Sequence, residues 1–293
     1  MQDFRMETFL AVCRNMNFTK TAKELNITQP AVSQHIHYLE QYYGVPLFSH
    51  KGKKIILTEA GEILKNSALT MKHDEFHMKQ RMEQTINGTS SYSFGATLTV
   101  AEYMIAENLC RFISTHPDSH IQMLVGNTKE LLRKLDTGEL DFAIVEGDFP
   151  KIEYDYFLYS TEEYVAAAAP EKARLYNGCP VNSLLPEFLL VREEGSGTRE
   201  ILEQYLKNHG LSLADFSNLN EIGNINVLKR IITAGQGISF LYRAAIKQEE
   251  KDGKLAVIEL KDFKLTHEIM FIFRKDSIFK EDYEKIFYEL KTQ

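Results

Sequence analysis

Residues 18–44 read Phe18-Thr19-Lys20-Thr21-Ala22-Lys23-Glu24-Leu25-Asn26-Ile27-Thr28-Gln29-Pro30-Ala31-Val32-Ser33-Gln34-His35-Ile36-His37-Tyr38-Leu39-Glu40-Gln41-Tyr42-Tyr43-Gly44. Asn17 and Thr19 offer capping oxygens for a short helix, Thr19–Leu25, whose Ala22 and Leu25 point inward. Asn26 and Ile27 make a brief turn. Thr28 can cap the next helix, with Gln29 after it and Pro30 in the first turn, where a missing N–H costs nothing. That helix runs to about Tyr43 and stops at Gly44. Ala31, Val32, Ile36, Leu39 and Tyr43 recur at helical spacing and make a core face. The opposite face carries Gln29, Ser33, Gln34, His37 and Gln41, short or neutral side chains that both donate and accept. Two helices on a tight turn, the second with such a face, are what the major groove of DNA admits.

The flanks extend this unit. Upstream, Phe4, Phe9, Leu10, Val12 and Cys13 give a helix-like apolar face. Downstream, short apolar segments of Leu47–Leu57 flank Lys51, Gly52, Lys53 and Lys54, a β-hairpin with three cations at its tip, read as a wing along a phosphate backbone. Residues 1–57 hold seven Lys/Arg against four Asp/Glu, whereas the remainder holds 27 against 37 within a chain of net charge −7. A positive head on an acidic body predicts different partners for the two parts.

From Thr58 to about Ile86 the chain is almost free of Gly and Pro and reads as one helix, capped by Thr58 with Glu62 in its first turns. Leu64, Ala68, Met71, Glu75, Met78 and Met82 alternate steps of four and three, a heptad-like seam with Glu75 as its flaw. Such a helix is marginal alone, so it packs on a copy of itself or on the body. His73 and His77 stand at i and i+4, as on metal-binding helices, but Asp74 replaces the Glu of zinc proteases and no third ligand is visible. A solvated helix face is the expected reading. After a polar hinge, Asn87–Ser91, apolar runs alternate with amphipathic ones. Strands are expected at 92–96, 121–126, 142–146, 164–169, 188–192, 238–241 and 269–274, and helices at 100–115, 130–138, 199–210, 225–234 and 280–291. This is an α/β body of roughly 200 residues with mainly parallel pairings.

Parallel sheets bind ligands beyond the carboxyl ends of their strands. Two such turns stand out. Ala96-Thr97-Leu98-Thr99 leaves a strand and enters a helix with two hydroxyls. Glu193-Glu194-Gly195-Ser196-Gly197-Thr198-Arg199 does the same, with glycines allowing close backbone approach. Helix N-termini carrying Ser/Thr hydroxyls favour anions, and Arg192 or Arg199 adds charge-assisted contacts.

Other classes fall away on length and spacing. The chain has 293 residues, 44% hydrophobic and 26% charged, enough for two soluble domains. No apolar run approaches the ~20 residues of a membrane span, and the N-terminus lacks a secretory core. Cys13, Cys110 and Cys179 are isolated, which predicts a reducing cytoplasm and no metal half-site. No nucleophile elbow, phosphate loop or dinucleotide fingerprint occurs, so no catalytic residue is expected.

At this point the chain resembles the LysR-type transcriptional regulators along its whole length. Phe18–Leu25, Thr28–Ile36, Leu39-Glu40, Gly44–Phe48 and Leu57-Thr58-Glu59-Ala60-Gly61 carry the match in the head. Leu140–Val145 and Ala234–Ser239 carry it in the body. Arg192–Arg199 resembles a branch that includes regulators of carbon fixation and sulfur assimilation. The resemblance implies a winged helix-turn-helix at 1–58, a linker and dimerisation helix at 59–87, and a two-subdomain α/β effector domain at 88–293, similar to periplasmic binding proteins. Subdomain I would take about 92–162 and 267–293, and subdomain II about 163–266. The chain would cross between them near Ser160–Tyr164 and Thr266–Glu268.

The resemblance further implies that Thr28, Gln29, Pro30, Ser33, Gln34 and His37 face the groove and that Lys51, Lys53 and Lys54 follow the backbone. Thr97, Leu98, Thr99, Glu146, Ser196, Gly197, Thr198 and Asn224 would line the effector cleft. His50 stands where the family commonly has Arg. Expected partners are double-stranded promoter DNA, RNA polymerase, further copies of the chain as dimer or tetramer, and a small effector such as an oxyanion or a phosphorylated or carboxylated metabolite. No cofactor, metal or membrane is expected. The competing reading is a solute-binding or enzymatic α/β domain whose head only mediates assembly.

Overall fold

The computed structural model describes residues 3–52 and 54–291. Helices α1 (Phe4–Asn15), α2 (Phe18–Glu24) and α3 (Gln29–Tyr43) enclose Phe9, Leu10, Val12, Ala22, Val32, Ile36 and Leu39, and the hairpin β1 (Phe48–Lys51)–β2 (Lys54–Leu57) adds Leu47 to that core. Each helix starts on a side-chain oxygen: Asp3 accepts from Arg5 N, Asn17 from Lys20 N at 2.9 Å, and Thr28 from Ala31 N at 3.3 Å. Glu40 Oε1 accepts from Leu47 N at 2.8 Å and ties the end of α3 to the entry of the hairpin.

The join to the long helix α4 (Glu59–Asn87) is equally tight. Thr58 Oγ1 donates to Pro46 O at 2.7 Å and accepts from Gly61 N at 3.0 Å. A Cβ on Gly61 would stand 2.2 Å from Leu47 O, so only glycine lets the first turn of α4 rest on that backbone. Head and helix therefore meet through fixed backbone rather than a flexible tether.

The body follows as β3 (Ser91–Thr97), α5 (Leu98–Tyr103), α6 (Ala106–Thr115), β4 (His120–Gly126), α7 (Thr128–Thr137), β5 (Phe142–Val145), β6 (Tyr154–Ala168), α8 (Pro170–Tyr176), β7 (Phe188–Val191), α9 (Gly197–Asn208), β8 (Asn218–Glu221), α10 (Ile225–Thr233), β9 (Ile238–Tyr242), α11 (Arg243–Lys251), β10 (Ala256–Ile258), β11 (Leu265–Arg274) and α12 (Lys280–Lys291). The strand order is β4-β3-β5-β11-β6-β9-β7-β8, with β10 added to β6. No helix among the described residues is long and apolar enough to cross a membrane.

The expectation of mainly parallel pairing needs correction. β3 lies parallel to β4 and β5, and β7 parallel to β8 and β9, but the middle of the sheet is antiparallel. There β6 and β11 pair from Tyr154↔Arg274 to Tyr164↔Leu265, and they meet β9 and β5 antiparallel as well. The two long strands carry the chain out of one half of the body and back, so they must run in opposite directions. β6 also begins ten residues before the expected Tyr164, because Asp155 and the polar stretch Ser160–Glu163 isolate the short run Tyr156–Tyr159 from Tyr164–Ala168. The expected helix over 100–115 is broken after Tyr103, where Ile105 is driven fully into the core.

The histidines of α4 also depart from expectation. They are not a solvated face: His73 and His77 are buried against the body. His73 Nε2 donates to Leu140 O at 3.0 Å, and His77 Nδ1 lies 2.7 Å from Asp141 Oδ1, whose other oxygen accepts from Ser93 N at 2.8 Å. Asp74 between them accepts from Ser277 Oγ at 2.6 Å and Ile278 N at 3.0 Å. The body supplies the partners that make burial of these polar groups affordable. Of the expected seam, Ala68 is buried whereas Met71, Met78 and Met82 remain exposed together with Ile63.

Candidate functional site

The groove-facing residues are assembled by α3. Its apolar face, Val32, Ile36 and Leu39, is clamped by α1 and α2, which turns Thr28, Gln29, Pro30, Gln34 and His37 outward, with Ser33 half-exposed. Gln29 Nε2 donates to Ser33 Oγ at 3.0 Å, and His37 Nε2 lies 3.0 Å from Gln41 Nε2, so part of this face is held before any ligand arrives. Lys51 and Lys54 are exposed at paired positions of the hairpin, and Lys53 lies outside the described residues. His50 is exposed on β1 opposite Ile55. Replacing His50 with Arg is expected to tighten DNA binding and steepen the slope of log K against log salt by about 0.9 per subunit, measured by fluorescence anisotropy. An unchanged slope would show that position 50 does not approach a phosphate.

The second constellation lies in the body, where β3, β5 and β7 end. Thr97 precedes α5, Glu146 follows β5, and Arg192 to Thr198 join β7 to α9. These turns enclose a cavity of about 250 Å³ whose lining includes Thr97, Leu98, Glu146, Arg192, Ser196 and Gly197. The two sides approach closely because Gly147 and Gly197 lack side chains: a Cβ on Gly197 would come within 2.7 Å of Glu146 O, and one on Gly147 within 2.9 Å of Gly197 Cα.

Glu146 is buried at the centre of the constellation. Its Oε1 accepts from Thr99 Oγ1 at 3.3 Å and Thr198 Oγ1 at 3.1 Å, so these two hydroxyls support the carboxyl rather than lining the cavity. Burial pushes the carboxyl up to about 7, against the downward pull of the Thr198 hydroxyl, the Arg192 charge and the Thr99 hydroxyl. Arg192 is buried too, and its Nε and Nη2 hold Glu193 at 2.8 and 2.9 Å. Three buried polar atoms here have no partner among the described residues: Thr97 Oγ1, Glu146 Oε2 and Arg192 Nη1. Unsatisfied groups of both signs around one cavity are the mark of a place that takes a polar ligand.

Asn224 stands outside this lining. Its carboxamide oxygen caps α10, accepting from Asn226 N and Val227 N at 3.0 Å. Arg199 is turned outward into pairs with Glu203 and Glu221. Residues that sequence reading did not single out also reach the cavity, among them Asn127 from the turn after β4 and Glu130 from the first turn of α7. The Asn127-Thr128 pair, a cap directly after an apolar run, was the available signal.

Residues 4–62 match the bacterial regulatory helix-turn-helix protein, lysR family, and residues 88–280 match the LysR substrate binding domain. The RuBisCO operon transcriptional regulator of Acidithiobacillus ferrooxidans is 30% identical over 89% of this chain and 84% of its own length. Among solved structures, an OxyR mutant of Corynebacterium glutamicum shares the fold with a TM-score of 0.62 at 21% identity, covering 98% of this chain and 90% of that one. The CcmR regulatory domain of Synechocystis, solved with 2-PG, matches with a TM-score of 0.61 at 20% identity, covering 70% of this chain and 99% of that domain. The chain belongs to the LysR family of DNA-binding transcriptional regulators.

Proposed function

We propose that this regulator binds promoter DNA as a two-fold symmetric dimer or a tetramer and is switched by a small anionic metabolite held in the Glu146–Arg192 cavity. The observation that carries the reading is the set of buried, unpartnered polar atoms on Thr97, Glu146 and Arg192 around one 250 Å³ space. The first amides of α9 add donors, since its intrahelical bonds begin only where Arg199 and Glu200 donate to Ser196 O. The 2-PG bound by the CcmR domain supports an effector of this size and charge. In this reading residues 1–58 bind DNA, 59–87 link and dimerise, and 88–293 bind the effector. The exposed stripe of Ile63, Met71, Met78 and Met82 on α4 supports pairing through the linker. The protein works in the cytoplasm with RNA polymerase as a further partner, and without catalysis, cofactor or metal.

A ligand that binds one arrangement of the cleft better shifts the population of DNA-bound geometries. The test is thermal unfolding against sulfate, phosphate, 2-phosphoglycolate and small carboxylates. At a hundred times its dissociation constant, a true ligand stabilises the fold by about 2.7 kcal/mol, roughly 5–10 °C for a domain of this size. Thr97→Ala or Ser196→Ala should remove most of that shift. No shift with any of these anions would sink the anionic-effector reading.

A further inference from the structure

Glu146 lines a cavity that this reading assigns to an anion, and an ionised carboxylate there would oppose the ligand. Its geometry resolves the conflict. Oε1 takes the protons of both the Thr99 and Thr198 hydroxyls, as a carbonyl oxygen does. Oε2 is equally buried and has no partner within hydrogen-bond distance among the described residues. A buried carboxylate leaves such an oxygen as an uncompensated acceptor. A carboxylic acid with its proton on Oε2 carries no uncompensated charge there and presents a donor that a ligand can satisfy.

The surrounding groups favour the same form. Arg192 is the one cation on the lining among the described residues, and Glu193 already holds two of its nitrogens. Glu130 of α7 lines the same cavity. Tyr164 of β6 and Tyr242 of β9 also face Glu146: burial first, and then the Glu146 charge, push both hydroxyls up, the Tyr242 hydroxyl lies the nearer of the two to the carboxyl, and Tyr242 meets His267 of β11 at 3.2 Å. Glu200 of α9 packs where a side chain on Gly147 would be. Carboxylates thus outnumber the guanidinium, and Glu146 is buried away from bulk solvent.

We propose that Glu146 serves the cleft as a neutral carboxylic acid whose Oε2–H donates to the bound anion, so that anion binding takes up a proton from solvent. The inference rests on the anionic-effector reading. It fixes a ligand class as well as a pH dependence: the site accepts anions that bring no hydrogen of their own, such as sulfate, where an ionised Glu146 would demand a protonated one. Burial holding the group near neutrality supports it. The neutral form prevails below that range, so affinity is full on the acid side and falls tenfold per pH unit above it.

The test is isothermal titration calorimetry of the full chain with sulfate, phosphate and 2-phosphoglycolate between about pH 6 and 8.5, in Tris and HEPES, whose ionisation enthalpies differ. Sulfate does not titrate in this window. The expected result is roughly tenfold or greater weakening of sulfate binding across the window and uptake of close to one proton at the alkaline end. Glu146→Gln, with a permanent N–H donor in place of the acid, should bind without proton uptake and with a flat profile. Wild-type binding that is flat with pH and takes up no proton overturns the proposal alone, and so does a pH dependence that persists in Glu146→Gln, which would assign it to His267. Binding of none of the three anions near pH 6 overturns the anionic-effector reading and this inference with it. The wild-type proton count needs no variant to fold.

Discussion

Arg274→Ala is expected to destabilise the protein by about 2–4 kcal/mol, because it removes a buried guanidinium and strips the counterion from two half-buried carboxylates. Arg274 ends β11 and is fully buried. Its Nη1 donates to Asp136 Oδ1 at 2.9 Å and lies 3.9 Å from Glu153 Oε2, while the guanidinium rests over the Tyr154 ring at 4.9 Å. Its Nη2 donates to Asn66 O of α4 at 3.2 Å, so one side chain joins β11, α7, β6 and the linker helix. Alanine would leave Asp136 hydrogen-bonded only by Tyr154 and Glu153 held by Lys65, beside a cavity. Urea denaturation measures the loss, and Arg274→Met separates its parts by keeping the bulk without the charge. A loss below about 1 kcal/mol in the alanine variant would mean that the cluster closes over the vacancy and that the linker is held elsewhere.

Arg274 also shows where sequence reading stops. Sequence reading takes Arg274 only as the last residue of the strand 269–274, and only the fold brings Asp136 and Asn66 to it from 138 and 208 residues away. His73 and His77 were misread for the same reason, since the Leu140 carbonyl and the Asp141 carboxylate lie more than sixty residues downstream. The head was legible because its determinants are local. Asn17, Thr28 and Gly44 bound its second and third helices within the segment they delimit, and 3.6-residue spacing assigns its core. In the cleft, Thr97, Ser196 and Gly197 were visible as strand-to-helix turns. The role of Glu146 was not, because it depends on hydroxyls 47 and 52 residues away and on burial that no spacing reports. The antiparallel centre of the sheet was hidden because Tyr164–Ala168 of β6 and Ile269–Phe273 of β11 are continuous apolar runs, the pattern that buried parallel strands also show.

The largest functional loss is expected from Gln34→Ala. Gln34 is exposed on α3, one residue from the Gln29–Ser33 pair and three from His37, where a side chain of its length reaches a base edge in the major groove. A bidentate contact of Gln to a base is worth about 1–3 kcal/mol, and a symmetric dimer loses it twice, so affinity should fall from about 30-fold to about 10⁴-fold. The side chain is neutral, so the salt slope should stay unchanged while discrimination between bases relaxes at the symmetric positions of the site. Lys51→Ala should do the reverse, weakening all sequences alike and lowering the slope by about 0.9 per subunit. Anisotropy titrations at several salt concentrations, on a duplex selected from a random library, distinguish these outcomes, with circular dichroism confirming that the variants fold. The contrast also decides between a reading head and one used only for assembly. An assembly surface would lose self-association in Gln34→Ala and show no change in base preference, whereas a reading helix loses sequence discrimination with its oligomeric state intact.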